Sequence, residues 1–164
     1  MEQRLPVLGW KEQAALPELG VERLRVKLDT GARTSALHVE SVEVTGEHQV
    51  DGETLPVLRL VLLVGSRDRP RTRTVEVPAV GSKMVRDTGA NAELRHVVRT
   101  RVVCGPLDIQ TPVTITDRTG MNFRMLLGRA ALAGRCLVDP DEGYLHSPQP
   151  PPRRSADTTA DPAP

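Results

Sequence analysis

Leu24-Arg25-Val26-Lys27-Leu28-Asp29-Thr30-Gly31-Ala32 is the stretch on which the fold turns. Leu24, Val26 and Leu28 alternate with Arg23, Arg25 and Lys27, the period of a strand with one buried and one wet face. That strand runs directly into an acid, a hydroxyl and a glycine. A core strand fixes the carboxylate at its end. Gly31 permits tight backbone and the close approach of another chain. Thr30 can hydrogen-bond across to a partner and hold the loop rigid. Two such carboxylates within hydrogen-bond range would share one proton. The charged one activates water as general base; the protonated one polarises a carbonyl and then protonates the leaving amine. Asp29 is therefore the catalytic candidate, with Thr30, Gly31 and Ala32 as its loop. One copy of the loop supplies one carboxylate, so the reading requires a two-fold homodimer.

A lone Asp-Thr-Gly is a weak motif, because these are ordinary turn residues. The chain carries a second copy, Asp87-Thr88-Gly89. It follows Lys83-Met84-Val85-Arg86, a poor core strand, and precedes Asn91-Ala92-Glu93 with no apolar continuation. It reads as a turn in a loop, and Asp29 keeps the assignment.

Working outward, the period of two persists. Val42 and Val44, then Leu58, Leu60, Leu62 and Val64, then Val75 and Val77 read as strands. Val97 to Cys104 and Leu107 to Ile115 follow, with turns expected at Gly46, Gly52, Gly65, Gly89, Gly105 and Gly120. Only Arg129 to Gly134 looks helical. Many short strands and one short helix near the C-terminus predict an all-β fold, a closed or nearly closed barrel of a single lobe. The folded domain is expected over residues 5–146. Residues 147–164 are rich in Pro and polar residues without a large apolar side chain, and read as a disordered tail.

Composition limits the function classes. A chain of 164 residues suits one domain and can bury a core without staples. With one Trp, one Tyr and one Phe, that core must be aliphatic. A formal net charge of +1 gives no general pull toward nucleic acid or a membrane surface. Cys104 and Cys136 form no metal or redox motif and read as core thiols. Neither a signal peptide nor a membrane-spanning run is visible, so the expectation is a cytoplasmic protein with free thiols.

A second segment supports the first. Met125-Leu126-Leu127-Gly128-Arg129, followed by Ala130-Ala131-Leu132, resembles the retropepsin pattern of apolar residues, Gly-Arg and a short helix. Three longer stretches resemble one bacterial family more closely: Gly9-Trp10-Lys11-Glu12 through Gly20, Lys27 through His38, and Phe123 through Pro140. That family carries the label of ATP-dependent zinc proteases and is grouped with retropepsin-like aspartic endopeptidases. Its members are linked with ATP-grasp ligases that add glutamates to a ribosomal protein. The resemblance implies a retropepsin-like acid protease barrel, an aspartic peptidase acting on peptide or protein substrates, and a functional link to such a ligase. It also implies that Gly128 and Arg129 lie beneath the catalytic loop and support it. No cofactor or metal is implied by the residues themselves. His38, His48, His96 and His146 include no pair at helical spacing, and there is no Gly-rich phosphate loop.

Four further residues are candidate substrate contacts. Arg33 sits beside the acid and could meet a substrate carboxylate or pair at the surface. His38 lies just past the loop; a hydrogen-bonded structural role is the plainer reading. Arg71 and Arg73 belong to an alternating run with Arg67 and Arg69, interrupted by Pro70. In extended form the run would present one basic face to an acidic peptide, in the region where retropepsins carry a flap; otherwise it is a solvated hairpin tip. A basic flap would suit an acidic or glutamate-modified substrate. The alternative from a different class is a non-catalytic module of the same fold, binding an acidic peptide or a ligase partner.

Overall fold

The computed structural model describes residues 3–66, 68–86, 89, 91–116 and 122–148. Its strands are β1 (Val7–Gly9), β2 (Lys11–Leu16), β3 (Val21–Leu28), β4 (Ser35–His38), β5 (Ser41–Val50), β6 (Glu53–Ser66), β7 (Arg69–Arg86), β8 (Ala92–Cys104), β9 (Leu107–Thr116), β10 (Met125–Leu127) and β11 (Leu137–Asp139). A single 3-10 turn, Pro17–Leu19, links β2 to β3, and α1 (Arg129–Leu132) is the one α-helix among the described residues. The expected all-β, single-lobed barrel is present. Six strands, in the order β2-β3-β10-β4-β9-β8, close on themselves through the pairing of Ala15 with Val103.

The expected alternation sets the inside of this barrel. Val26 and Leu28 of β3, Leu37 of β4, Val113 of β9, and Met125 and Leu127 of β10 are buried. Each fully buried aliphatic side chain of this kind contributes about 1.5–3 kcal/mol relative to exposure. None of Trp10, Phe123 and Tyr144 is in that core, which is aliphatic as the composition requires.

β5, β6, β7 and β8 all outrun their expected lengths, β7 most of all. The residues of β7 up to Pro78 pair with β6, and those from Ala79 pair with β8, with a register shift between Ala79 and Gly81. β5, β6 and β7 thereby leave the barrel as a three-stranded extension. The extension is anchored by Leu58, Leu60 and Leu62, whose side chains join the main core. Pro70 does not break the extended run; it pairs with Gly65, and Arg69, Arg71 and Arg73 all lie exposed on β7. Gly46 pairs with Val57 beside a bulge at Thr45 within β5, where the register shifts between Val44 and Gly46, and is not the expected turn. Gly52 and Gly105 do occupy turns at positive φ, whereas Gly65, also at positive φ, stands within β6 opposite Pro70. The position of Gly120 lies outside the described residues.

The stretch read as a tail begins at Ser147. Ser147 and Pro148 are tied to β2, through Gln13 N–H donating to Ser147 Oγ at 2.9 Å and Gln13 Nε2 to the Pro148 carbonyl at 2.8 Å. The anchor of this segment is Glu12, fully buried on β2. Its Oε1 accepts from Gly9 N at 3.0 Å and Leu145 N at 2.8 Å, and its Oε2 accepts from the Ser147 hydroxyl. A buried carboxylate is tolerable only when donors surround it in this way. The rest of the Pro-rich stretch lies outside the described residues. No helix among those described is long and apolar enough to cross a membrane.

Candidate active site

β10 lies between β3 and β4, parallel to the first and antiparallel to the second. The link from β3 to β4 must therefore arch over the end of β10. Residues 29–34 are that arch. Asp29 N–H donates to the Leu127 carbonyl at 2.8 Å, which seats the acid directly on β10. Ala32 N–H closes the turn onto the Asp29 carbonyl at 3.2 Å, and Gly31 N–H donates to Asp29 Oδ1 at 3.0 Å. The carboxylate thus faces a backbone donor at Gly31 and remains partly exposed, with 28% of its side chain accessible.

Gly128 and Arg129 support the arch from below. Gly128 leaves no room for a side chain: an added Cβ would lie 2.6 Å from the Thr34 carbonyl carbon and oxygen. Gly128 N–H donates to the buried Ser35 hydroxyl at 3.1 Å. The N–H groups of Arg129 and Ala130, unsatisfied within the helix because they open α1, donate to the Ala32 and Arg33 carbonyls at 2.8 and 3.0 Å. Arg129 Nη1 donates to the Thr30 carbonyl at 2.9 Å and the Gly31 carbonyl at 3.2 Å. Asp29, Thr30, Gly31, Ala32, Gly128 and Arg129 form one hydrogen-bonded unit.

The candidate substrate contacts divide. Arg33 is exposed on the arch itself. His38 stands at the far end of β4, level with Arg124, whose carbonyl accepts its N–H at 2.8 Å. That level lies roughly 13 Å along the strand direction from Asp29. The His38 ring is 3.4 Å from Glu40 Oε1. Arg71 and Arg73 lie on the β6–β7 hairpin opposite Val64 and Leu62. The Arg73 guanidinium lies over Gly20, at the start of β3 and so at its opposite end from Asp29. Within one chain these two arginines are not brought to the acid.

The hairpin that does reach the arch is β7–β8, where Lys83 Nζ donates to Thr34 Oγ1 at 3.1 Å. Its strands present Met84 and Leu94, each 58% exposed and cross-strand neighbours. Arg86 pairs with Ala92 at the end of the β7–β8 ladder. Asp87 and Thr88 of the second Asp-Thr-Gly lie outside the described residues.

Sequence reasoning missed Lys27 as a neighbour of the acid: its Nζ is 3.9 Å from Asp29 Oδ2. Positions two apart on a strand share a face, so the alternation could have revealed it. The role of Ser35 is visible only once β4 and β10 are seen to be adjacent. Among the described residues, no three His, Cys, Asp or Glu side chains gather in a way that could hold a metal ion.

A family model for RimB-like proteins, described as retropepsin-like aspartic endopeptidase RimB, matches residues 7–149. The chain belongs to the RimB-like family. A solved structure of similar fold is Lpg0085 from Legionella pneumophila, a protein of unknown function. It is 26% identical, with a TM-score of 0.65 over 87% of this chain and 98% of that one. Two curated relatives carry the name "Probable alpha-L-glutamate ligase". One, from Parasynechococcus marenigrum, is 33% identical over 84% of this chain; the other, from Desulfotalea psychrophila, is 31% identical over 82%. The RimB-like region spans only 28% of the length of each of these two relatives. Their ligase name thus covers proteins much longer than the part they share with this chain.

Proposed function

We propose that this chain is an aspartic endopeptidase that works as a homodimer, with Asp29 of each subunit supplying half of the catalytic pair. The observation that carries the reading is the arch. A carboxylate at the end of a barrel strand is fixed by Leu127, Gly31 and the Arg129 brace, yet remains open to solvent. Two such groups meeting across a two-fold axis share one proton, since like charges at that distance resist joint ionisation. The ionised member draws a proton from water, which attacks the scissile carbonyl. The protonated member hydrogen-bonds the carbonyl oxygen, and a proton passes to the amine as the tetrahedral intermediate collapses. No covalent intermediate forms.

Cations surround this arch: Lys27 beside the acid, Arg33 on the loop, Lys83 against Thr34, and Arg129 beneath. They favour acidic protein or glutamate-modified segments as substrates, and association with such segments steered by charge. A cytoplasmic setting and a functional link to an ATP-grasp glutamate ligase complete the reading. The test compares wild type with Asp29→Asn. Hydrolysis of acidic peptides should fall by at least about a thousandfold, as expected for loss of a general acid–base group. The mass in solution should remain that of a dimer. Inhibition by a statine-type transition-state mimic and indifference to a chelator are expected alongside. Full activity in the Asp29→Asn protein would refute the mechanism.

A second reading has a specific observation behind it. Relatives that carry the matching region are named as ligases, and that region is 28% of their length. On this reading the barrel is a non-catalytic module that presents an acidic peptide to a ligase. It predicts that Asp29→Asn binds acidic peptides as wild type does and that neither protein cleaves them.

A further inference from the structure

We infer that Lys27 is a specificity-determining residue, whose ammonium group receives the carboxylate of a substrate side chain adjoining the scissile bond. The inference rests on the peptidase reading of Asp29.

Lys27 stands two residues before Asp29 on β3, on the same face, with Nζ 3.9 Å from Asp29 Oδ2. It is 42% exposed, so an isolated pairing with Asp29 adds little to stability. Its position also carries a cost. Lys27 is directly opposite Lys11 in the β2–β3 register, and like charges in facing positions repel. Lys11 is drawn aside, its Nζ lying 4.7 Å from the Trp10 ring centre and 5.5 Å from that of Tyr144. Arg25, the next cation along this face, is engaged as well. Its guanidinium lies 4.9 Å from the Phe123 ring centre and donates to the Tyr144 hydroxyl at 3.1 Å. The three aromatic side chains of the protein thus gather here and hold two of the three cations. Lys27 is the one they leave, and among the described residues Asp29 is the acid in ion-pair range of it.

Charge counting then gives Lys27 a ligand. In the dimer two copies of Lys27 flank a carboxylate pair that shares a proton and carries one negative charge. One positive charge is left without a counter-ion. During attack the reacting carbonyl sits roughly 3–3.5 Å from the attacking oxygen. Lys27 Nζ, 3.9 Å from a catalytic oxygen, is therefore within a side chain's reach of the residues on either side of the scissile bond. A Glu or Asp side chain there restores neutrality and gains a charge-assisted hydrogen bond. A Gln of the same shape does not.

The test uses the full chain and peptides that are identical except for Glu or Gln immediately before or immediately after the scissile bond. Wild type should cleave a Glu peptide with kcat/KM at least roughly tenfold above its Gln partner, the scale of one charge-assisted contact. Lys27→Met should bring that ratio close to one, Lys27→Arg should keep most of it, and Lys27→Glu should favour a Lys peptide instead. Lys27→Gln, nearer in polarity, guards against misfolding of the Met variant. A lysine that only steadies Asp29 would change both peptides alike and leave the ratio intact, which would overturn the inference, as would equal cleavage of both peptides by wild type. If wild type cleaves no peptide of the set, the peptidase reading fails and this inference falls with it.

Discussion

Gly128→Ala puts the proposed support of the catalytic arch under direct strain. Gly128 has φ −88° and ψ 173°, extended backbone that alanine adopts freely. The whole penalty must therefore come from crowding. The added Cβ would sit 2.6 Å from the Thr34 carbonyl carbon and oxygen and 2.8 Å from the Arg33 carbonyl carbon, where ordinary contact starts at 3.4 Å. These are main-chain atoms at the foot of the arch and cannot swing aside as a side-chain tip can. The arch, or α1 beneath it, must move by about 0.8 Å, the gap between 2.6 and 3.4 Å. Overpacking of this size costs about 1–3 kcal/mol, which lowers Tm by roughly 2–4 °C per kcal/mol in a chain of this length. A misplacement near 1 Å at a reacting group costs about a hundredfold in rate. Gly81→Ala is the matched control. Nothing lies within 4 Å of its added Cβ and its φ is not in the left-handed range, so Tm should stay level or rise slightly through the loss of unfolded-state freedom. Thermal melts and peptide hydrolysis on both variants decide the matter. A Gly128→Ala protein with the wild-type melting temperature and wild-type kcat would show that the arch does not rest on this residue.

Ser35→Ala removes the hydroxyl that accepts from Gly128 N–H; the orphaned buried donor should cost about 1–3 kcal/mol in chemical denaturation, and an unchanged midpoint would count against the bond. Glu12→Gln replaces a buried charged acceptor of Gly9, Leu145 and Ser147. A loss of about 1.5–3 kcal/mol is expected for bonds to a charged group, with early hydrogen exchange in residues 144–148; protection equal to wild type would contradict it. Burial is the main force that pushes the Cys104 thiol up to about 12 from its ordinary 9.0, with Glu12 adding to it. Native protein at pH 8 should therefore leave Cys104 unlabelled by a thiol reagent that modifies it fully after unfolding. Since the folded state holds this proton more tightly, its contribution to stability is complete below about pH 9 and is lost as pH climbs toward 12. A flat stability profile from pH 8 to 11 would contradict the burial.

Much of the barrel was legible because period-two alternation survives wherever one face is wet. β3, β6, β8 and β9 could be placed from Leu24 to Leu28, Leu58 to Val64, Val97 to Cys104 and Leu107 to Ile115. The short strands β1, β4, β10 and β11 could not, since three or four residues carry too little periodicity to separate strand from loop. The full length of β7 was hidden for another reason: Arg69 to Thr74, and Lys83, Met84 and Arg86, are exposed, and their extended form comes from partners in β6 and β8. At the site, the core unit of Asp29, Gly128 and Arg129 was readable from two motifs and their order. Lys83 and the removal of Arg73 from the acid were not, because both follow from the point at which β7 changes partners, a tertiary event that no local pattern records. Lys27 was within reach, as the wet-face neighbour of Asp29 on a strand already identified.

The central claim is that each chain holds half a catalytic site. Its most direct test is the hydrolysis rate of a fixed amount of wild-type protein as Asp29→Asn protein is added and allowed to exchange subunits. Mixed dimers carry one carboxylate and should be inactive, so the rate should fall progressively and approach zero at large excess of the variant. A rate that stays at its starting value, with exchange verified by differently tagged subunits, would show that one Asp29 suffices and that the shared pair does not exist.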